Sequence, residues 1–209
     1  MCAKSKTPKL TVELIPKTCH YSNVRTTVTK QEWNKIRFIS YEAANNKCEI
    51  CGDVGKNQGY NHNVECHEIW EYDDTNHLQK LVGLISLCPI CHQVKHIGRA
   101  MAMGRHQEAY NQLMKVNKWS PKQVEQHILE SFELHKERSK HKWDLDITLL
   151  AEEPYNIKLK ETKTRIFEVK KYKKKKKKPL KKKTAAKKTA AKKIAAKKIV
   201  NKRPPKTSK

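Results

Sequence analysis

Apolar positions along this chain fall into short periodic runs, and the period of each run names an element. Trp33, Ile36, Ile39 and Ala43 recur at near-helical spacing, as the buried stripe of an amphipathic helix does. Thr29-Lys30-Gln31-Glu32 stands before them in capping-box form, so a helix is predicted over roughly 30–45. Residues 64–72 alternate between apolar and polar, the period of a half-buried strand. Residues 81–87 read as a second strand, apolar on both sides of Gly83, with 73–80 as the connection. Pro89 suits a first helical turn, and the apolar spacing carries that helix over about 90–103. The centre of the chain thus reads strand, loop, strand, helix. Farther on, Ala109, Leu113 and Val116 share one helical face. Ser120-Pro121-Lys122-Gln123 then joins an N-cap, an N1 proline and a capping-box glutamine ahead of Val124, Ile128 and Phe132. Trp143, Leu145 and Ile147 are expected to pack the last segment back onto the body. Residues 1–28, polar with scattered apolar positions, read as an extended arm.

Charge divides the chain in two. The formal net charge of +25 is concentrated in 170–209, which holds 21 Lys and Arg and no Asp or Glu. Residues 1–169 keep 25 basic against 21 acidic side chains. The organisation expected is an arm at 1–28, a domain at 29–150, a linker at 151–169 and a disordered basic tail at 170–209. No run approaches 18 apolar residues, so no membrane partner is expected. The lysines near the N-terminus have no apolar core behind them, which argues against a secretory signal. A soluble, intracellular protein in a reducing compartment follows, where seven cysteines ligate metal before they pair as disulfides.

Four of those cysteines form two pairs, Cys48-x-x-Cys51 and Cys88-x-x-Cys91. Each pair lets two thiolates reach one ion from a tight turn, and two pairs complete a tetrahedral zinc shell. Gly52 suits the turn of the first knuckle. Cys2 and Cys19 read as free thiols. The second pair runs into His92 and His96, which are i and i+4 on the expected helix and share a face. Upstream, Glu65-Cys66-His67-Glu68 lies on the first strand, where Glu68 should point away from His67. His62, His77 and His106 lack such context and read as surface residues.

These segments, CEIC, ECHE and LCPICHQVKH, resemble the HNH endonuclease family in its zinc-containing branch. The resemblance extends over about residues 10–150 through TVTKQEWNKIR, QKLVGLISLCPICH, LMKVNKWS and ERSKHKWDLDITLL, which look like a bacterial and viral subfamily. It implies an α+β fold: a small ββα-metal finger stapled by a four-cysteine zinc site and flanked by helices. It implies structural zinc on Cys48, Cys51, Cys88 and Cys91, and His67 as general base. It implies a catalytic divalent ion (Mg²⁺, Mn²⁺ or Zn²⁺) on His92 and His96, with Cys66 as a further ligand. Arg99, about a turn beyond His96, is placed to clamp a phosphate. Two positions depart from the family pattern. Cys66 stands where an aspartate is common, and Gly83 where the middle asparagine is usual, with Asn76 too early for an easy match.

The tail repeats a pentapeptide, KKTAA, KKTAA, KKIAA, KKIVN, after an unbroken lysine run. Five residues advance a helix by about 140° beyond a full turn, so no apolar face forms and membrane insertion is not expected. The segment resembles the lysine/alanine-rich tails of linker histones and bacterial histone-like proteins. Lys173, Lys174, Lys175, Lys176, Lys177, Lys178, Lys181, Lys182, Lys183, Lys187, Lys188, Lys192 and Lys193 are its candidate phosphate contacts, positioning without reading sequence. KKKKKKPLKKK also has the form of a nuclear-import signal, so the location expected is nuclear in a eukaryotic host and otherwise cytoplasmic or nucleoid-associated. The function expected is a metal-dependent endonuclease on double-stranded DNA. The alternative is a catalytically inactive zinc-stapled module that binds or packages nucleic acid.

Overall fold

The computed structural model describes residues 7–159. The tail lysines named above, Cys2 and most of the expected linker lie outside that range. A 3-10 turn at Lys17–Cys19 and a short helix α1 (Val24–Thr27) precede α2 (Lys30–Ala43). Thr29 and Glu32 form a reciprocal capping box at the start of α2, satisfying backbone donors that have no partner within the helix. Strands β1 (Glu65–Asp73) and β2 (Leu78–Leu87) pair antiparallel, and a short β3 (Asp144–Asp146) runs parallel to β2. Four helices follow β2: α3 (Pro89–Lys95), α4 (Ile97–Ala102), α5 (His106–Asn117) and α6 (Pro121–Arg138). Ser120 and Gln123 cap α6 reciprocally, and Pro121 takes its first position. This is a mixed α+β arrangement around a three-stranded sheet. Among the described residues no helix is long and apolar enough to cross a membrane.

The β1–β2 hairpin separates two cores. One gathers Leu10, Val12, Leu87, Cys88, Cys91, Val94, Ile97, Leu113 and Val124. The other gathers Val24, Ile36, Leu81, Leu145, Ile147, Leu150 and Ile157. Pleating sends Ile85 and Leu87 to the first core and Leu84 to the second. Leu81 also joins the second core although it lies three residues from Leu84. The register explains this, since Ile69 faces Gly83 while Trp70 faces Leu81, leaving Val82 as an extra residue. A bulge of this kind resets the alternation of the strand that carries it.

Besides an earlier start of β2, at Leu78 rather than residue 81, three boundaries differ from the sequence expectation. The helix expected over 90–103 is broken at His96, whose φ of −107° and ψ of 44° are not helical. The Glu13 N–H takes the carbonyl of Lys95 at 3.0 Å, and Arg99 N–H turns instead to the His96 carbonyl. The N-terminal segment is therefore part of the body, with Leu10 and Val12 in its core. Its apolar positions are too few to show a period, which is why the sequence reads as an arm. The body also continues past residue 150, where Ile157 is buried and its N–H meets the Leu150 carbonyl.

Candidate metal centre

Two clusters of ligating side chains surround α3. The first is Cys48, Cys51, Cys88 and Cys91, whose sulfur atoms lie within 4.8 Å of one another. Tetrahedral zinc with bonds of about 2.3 Å sets sulfurs about 3.8 Å apart, so this cluster can hold a structural metal such as zinc. Local backbone makes the cluster. Gly52 adopts φ of +77° directly after Cys51, and its N–H closes the first knuckle on the Cys48 carbonyl at 2.8 Å. Gly55 is needed for a different reason. A Cβ there would sit 2.3 Å from the His62 carbonyl oxygen and 2.8 Å from Pro89 Cδ, so only glycine lets this loop close on the start of α3. Cys48, Cys88 and Cys91 are buried, and Gln112 on α5 donates to Cys91 Sγ at 3.1 Å. The thiols share protons. Hydrogen bonds from Cys51, Cys88 and Cys91 hold Cys48 down, while those to Cys48, Cys51 and Cys88 push Cys91 up.

The second cluster is His67, His92 and His96, again with ligand atoms within 4.8 Å of one another. His67 comes from β1, buried to 4 % exposure, while His92 comes from the last turn of α3 and His96 is the non-helical residue that ends it. The His67 ring centroid is 5.2 Å from that of His92 and 5.0 Å from that of His96. Burial first, then the charges of His92 and His67, hold His96 down at about 3. Burial likewise lowers His67 against the opposing pull of Glu13. Neutral imidazoles are what a metal or a proton takes.

Two of the three rings have a carboxylate on the other nitrogen. Glu65 Oε2 accepts from His92 Nδ1 at 2.5 Å, while Glu65 Oε1 meets His62 Nε2 at 3.0 Å. Glu13 Oε2 lies 3.0 Å from His67 Nε2, and Glu13 Oε1 takes the ammonium of buried Lys95. Burial alone would raise the Glu13 carboxyl, but the hydrogen bond from His67 and the Lys95 ammonium outweigh it and hold it at about 2. Beyond the rings, a cavity of about 150 Å³ is lined by His92, His96, Tyr60, Gln93, Arg99 and Arg105. A second cavity, of about 350 Å³, reaches His96 and Arg99 from the side of Glu13, His20 and His135.

The structure brings His67, His92, His96 and Arg99 to one place. It does not bring Cys66 there. On a pleated strand Cys66 faces away from Glu65 and His67, toward Ser40 on α2, and burial raises its thiol to about 12. The expectation that Cys66 ligates the second ion is therefore corrected. Glu68 shares the face of Cys66 and accepts from the Val24 N–H at 2.9 Å. Asn76 is held by Asp73 in the hairpin turn, at the end of the sheet remote from His67. Cys19 is buried and its thiol is raised by that burial. Glu13, Lys95, Arg105 and Gln112 were missed in the sequence. Glu65 was within reach, because residues two apart on a strand share a face.

The chain matches no family model, no curated protein and no solved structure at a significant level of similarity.

Proposed function

We propose that this protein is a metal-dependent endonuclease that hydrolyses phosphodiester bonds in double-stranded DNA. The observation that carries the reading is the convergence of three imidazoles, of which His92 and His96 line an arginine-lined cavity and His67 and His92 are paired with carboxylates. His92 and His96 fit a divalent ion, since both offer imidazole nitrogens and Glu65 orients the first of them. An ion held there would supply Lewis-acid stabilisation of charge on the phosphate and the leaving oxygen. His67 takes the proton of the attacking water, the role its burial as a neutral base suits. Arg99 and Arg105 grip phosphates that flank the scissile one. The basic residues of 170–209 add sequence-independent affinity that weakens with salt. The structural-metal cluster keeps β2 and α3 in register beneath this chemistry.

Plasmid nicking tests the reading, with Mg²⁺, Mn²⁺ or Zn²⁺ added in turn. Wild-type protein is expected to nick, and His67→Ala to lose about 10²–10⁴-fold in rate. A chain ending at residue 169 should still cut, with weaker binding. Binding without cleavage under every ion would replace the enzyme with a nucleic-acid-binding module.

A further inference from the structure

The N-terminal segment delivers a carboxylate to the histidines from outside the finger, 54 residues before His67. That carboxylate is not what docks the segment. The Lys9 and Leu10 N–H groups donate to Asn117 Oδ1, the Val12 N–H to His127 Nε2, and the Glu13 N–H to the Lys95 carbonyl. Leu10 and Val12 are buried besides. The side chain of Glu13 has three partners: Oε2 meets the His67 ring, while Oε1 takes the Lys95 ammonium and, at 3.3 Å, the Thr11 hydroxyl. An ammonium has only donors, and so does a ring N–H that faces an ionised carboxylate.

We propose that Glu13 is a positioning residue that sets the tautomer of His67. Its ionised carboxylate holds the proton on Nε2 and keeps the Nδ1 lone pair available for the reaction. The proposal rests on the reading of His67 as the proton acceptor. It differs from the roles already described because Glu13 is not itself one of the three clustered imidazoles and does not line the cavity of Arg99 and Arg105. It acts on one ring, through one hydrogen bond.

Lys95 makes the idea sharp. In Glu13→Gln, the ammonium can bind only the amide oxygen, which turns the amide NH₂ toward His67. The ring must then accept at Nε2 and carry its proton on Nδ1, the opposite tautomer. Removing the ammonium as well lets the amide turn its oxygen back to the ring, since the remaining partner, the Thr11 hydroxyl, can accept from the NH₂. The double variant Glu13→Gln/Lys95→Met should therefore recover the original tautomer, which a merely structural role for Glu13 does not predict.

The experiment is nitrogen-resolved NMR of the imidazoles in the full chain loaded with diamagnetic Zn²⁺, beside steady-state plasmid cleavage. We expect Nε2–H at His67 in the wild type, Nδ1–H in Glu13→Gln and Nε2–H again in the double variant. Alongside, kcat should fall about 10–100-fold in Glu13→Gln with KM little changed, and partly return in the double variant. Nδ1–H in the wild type overturns the proposal without any variant having to fold. An unchanged tautomer and kcat in folded Glu13→Gln overturns it too. A chain that cuts nothing yet shows the tautomer reversal sustains the assignment of Glu13 and ends the nuclease reading instead.

Discussion

The cysteine and histidine clusters are built on the same short helix, yet they are opposite kinds of site. Cys88 caps α3 and Cys91 lies in its first turn, packed among Leu87, Val94 and Leu113. His92 lies in its last turn and His96 ends it, and both line a cavity with Arg99 and Arg105. Four sulfurs close a shell and leave no position for anything else. Three imidazoles with carboxylates behind two of them leave a side open. Closure is the mark of a staple, and an open side is the mark of a place where something arrives. One helix thus carries a closed cluster at its start and an open one at its end.

The largest effect should come from breaking the closed shell. Structural zinc contributes on the order of 10 kcal/mol to small domains, comparable with the whole stability of a domain. Cys91→Ser, or a strong chelator, is expected to abolish the cooperative unfolding transition seen by circular dichroism. A protein that still melts cooperatively without metal would make the sulfur cluster dispensable and erase the contrast. The open cluster should behave in the reverse sense. His92→Ala is expected to reduce cleavage on the order of a hundredfold or more, while the thermal midpoint moves by only a few degrees. A collapse of the midpoint would make the histidines a second staple.

Acid should separate the clusters next. Burial holds His96 at about 3 in the folded chain, whereas an unfolded chain takes up that proton near about 6.5. The unfolded state then binds more protons, so this contribution to stability is present above about 6.5 and is lost progressively as the pH falls toward 3. Midpoints measured from pH about 8 down to about 5 should decline, and less steeply in His96→Asn. Equal slopes in the two proteins would place the acid-sensitive group elsewhere. The smallest effect belongs to His62, half exposed beside Glu65. An exposed pair contributes at most about 1 kcal/mol, so His62→Ala should weaken binding of the open-site ion by no more than about fivefold in calorimetric titration.

How far the sequence could be read followed the range over which each signal acts. The cysteine pairs, the capping boxes at Thr29 and Ser120, and the alternation of β1 are written within a few residues and lie where they were expected. The convergence of His67 with His92 and His96 could be anticipated from the resemblance alone, not from any local pattern. Cys66 was misplaced because the resemblance carried onto it the ligand role of the aspartate common at that position, although on this strand it faces away from His67. Glu13 could not be found, since nothing near it in the chain marks a partner 54 residues away. The break at His96 was hidden for the same reason, because it follows from a carbonyl taken by that distant segment.

The docked N-terminal segment also limits how this finger can be moved between proteins. A transplant of residues 48–102 would carry both the cysteine and the histidine cluster and appear complete by its motif. It would arrive without Leu10 and Val12, baring the apolar surface of Val94 and Ile97, and without the carboxylate at His67. The smallest portable unit therefore begins well before the first ligand. An engineer who borrows this finger has to borrow the strap that crosses it.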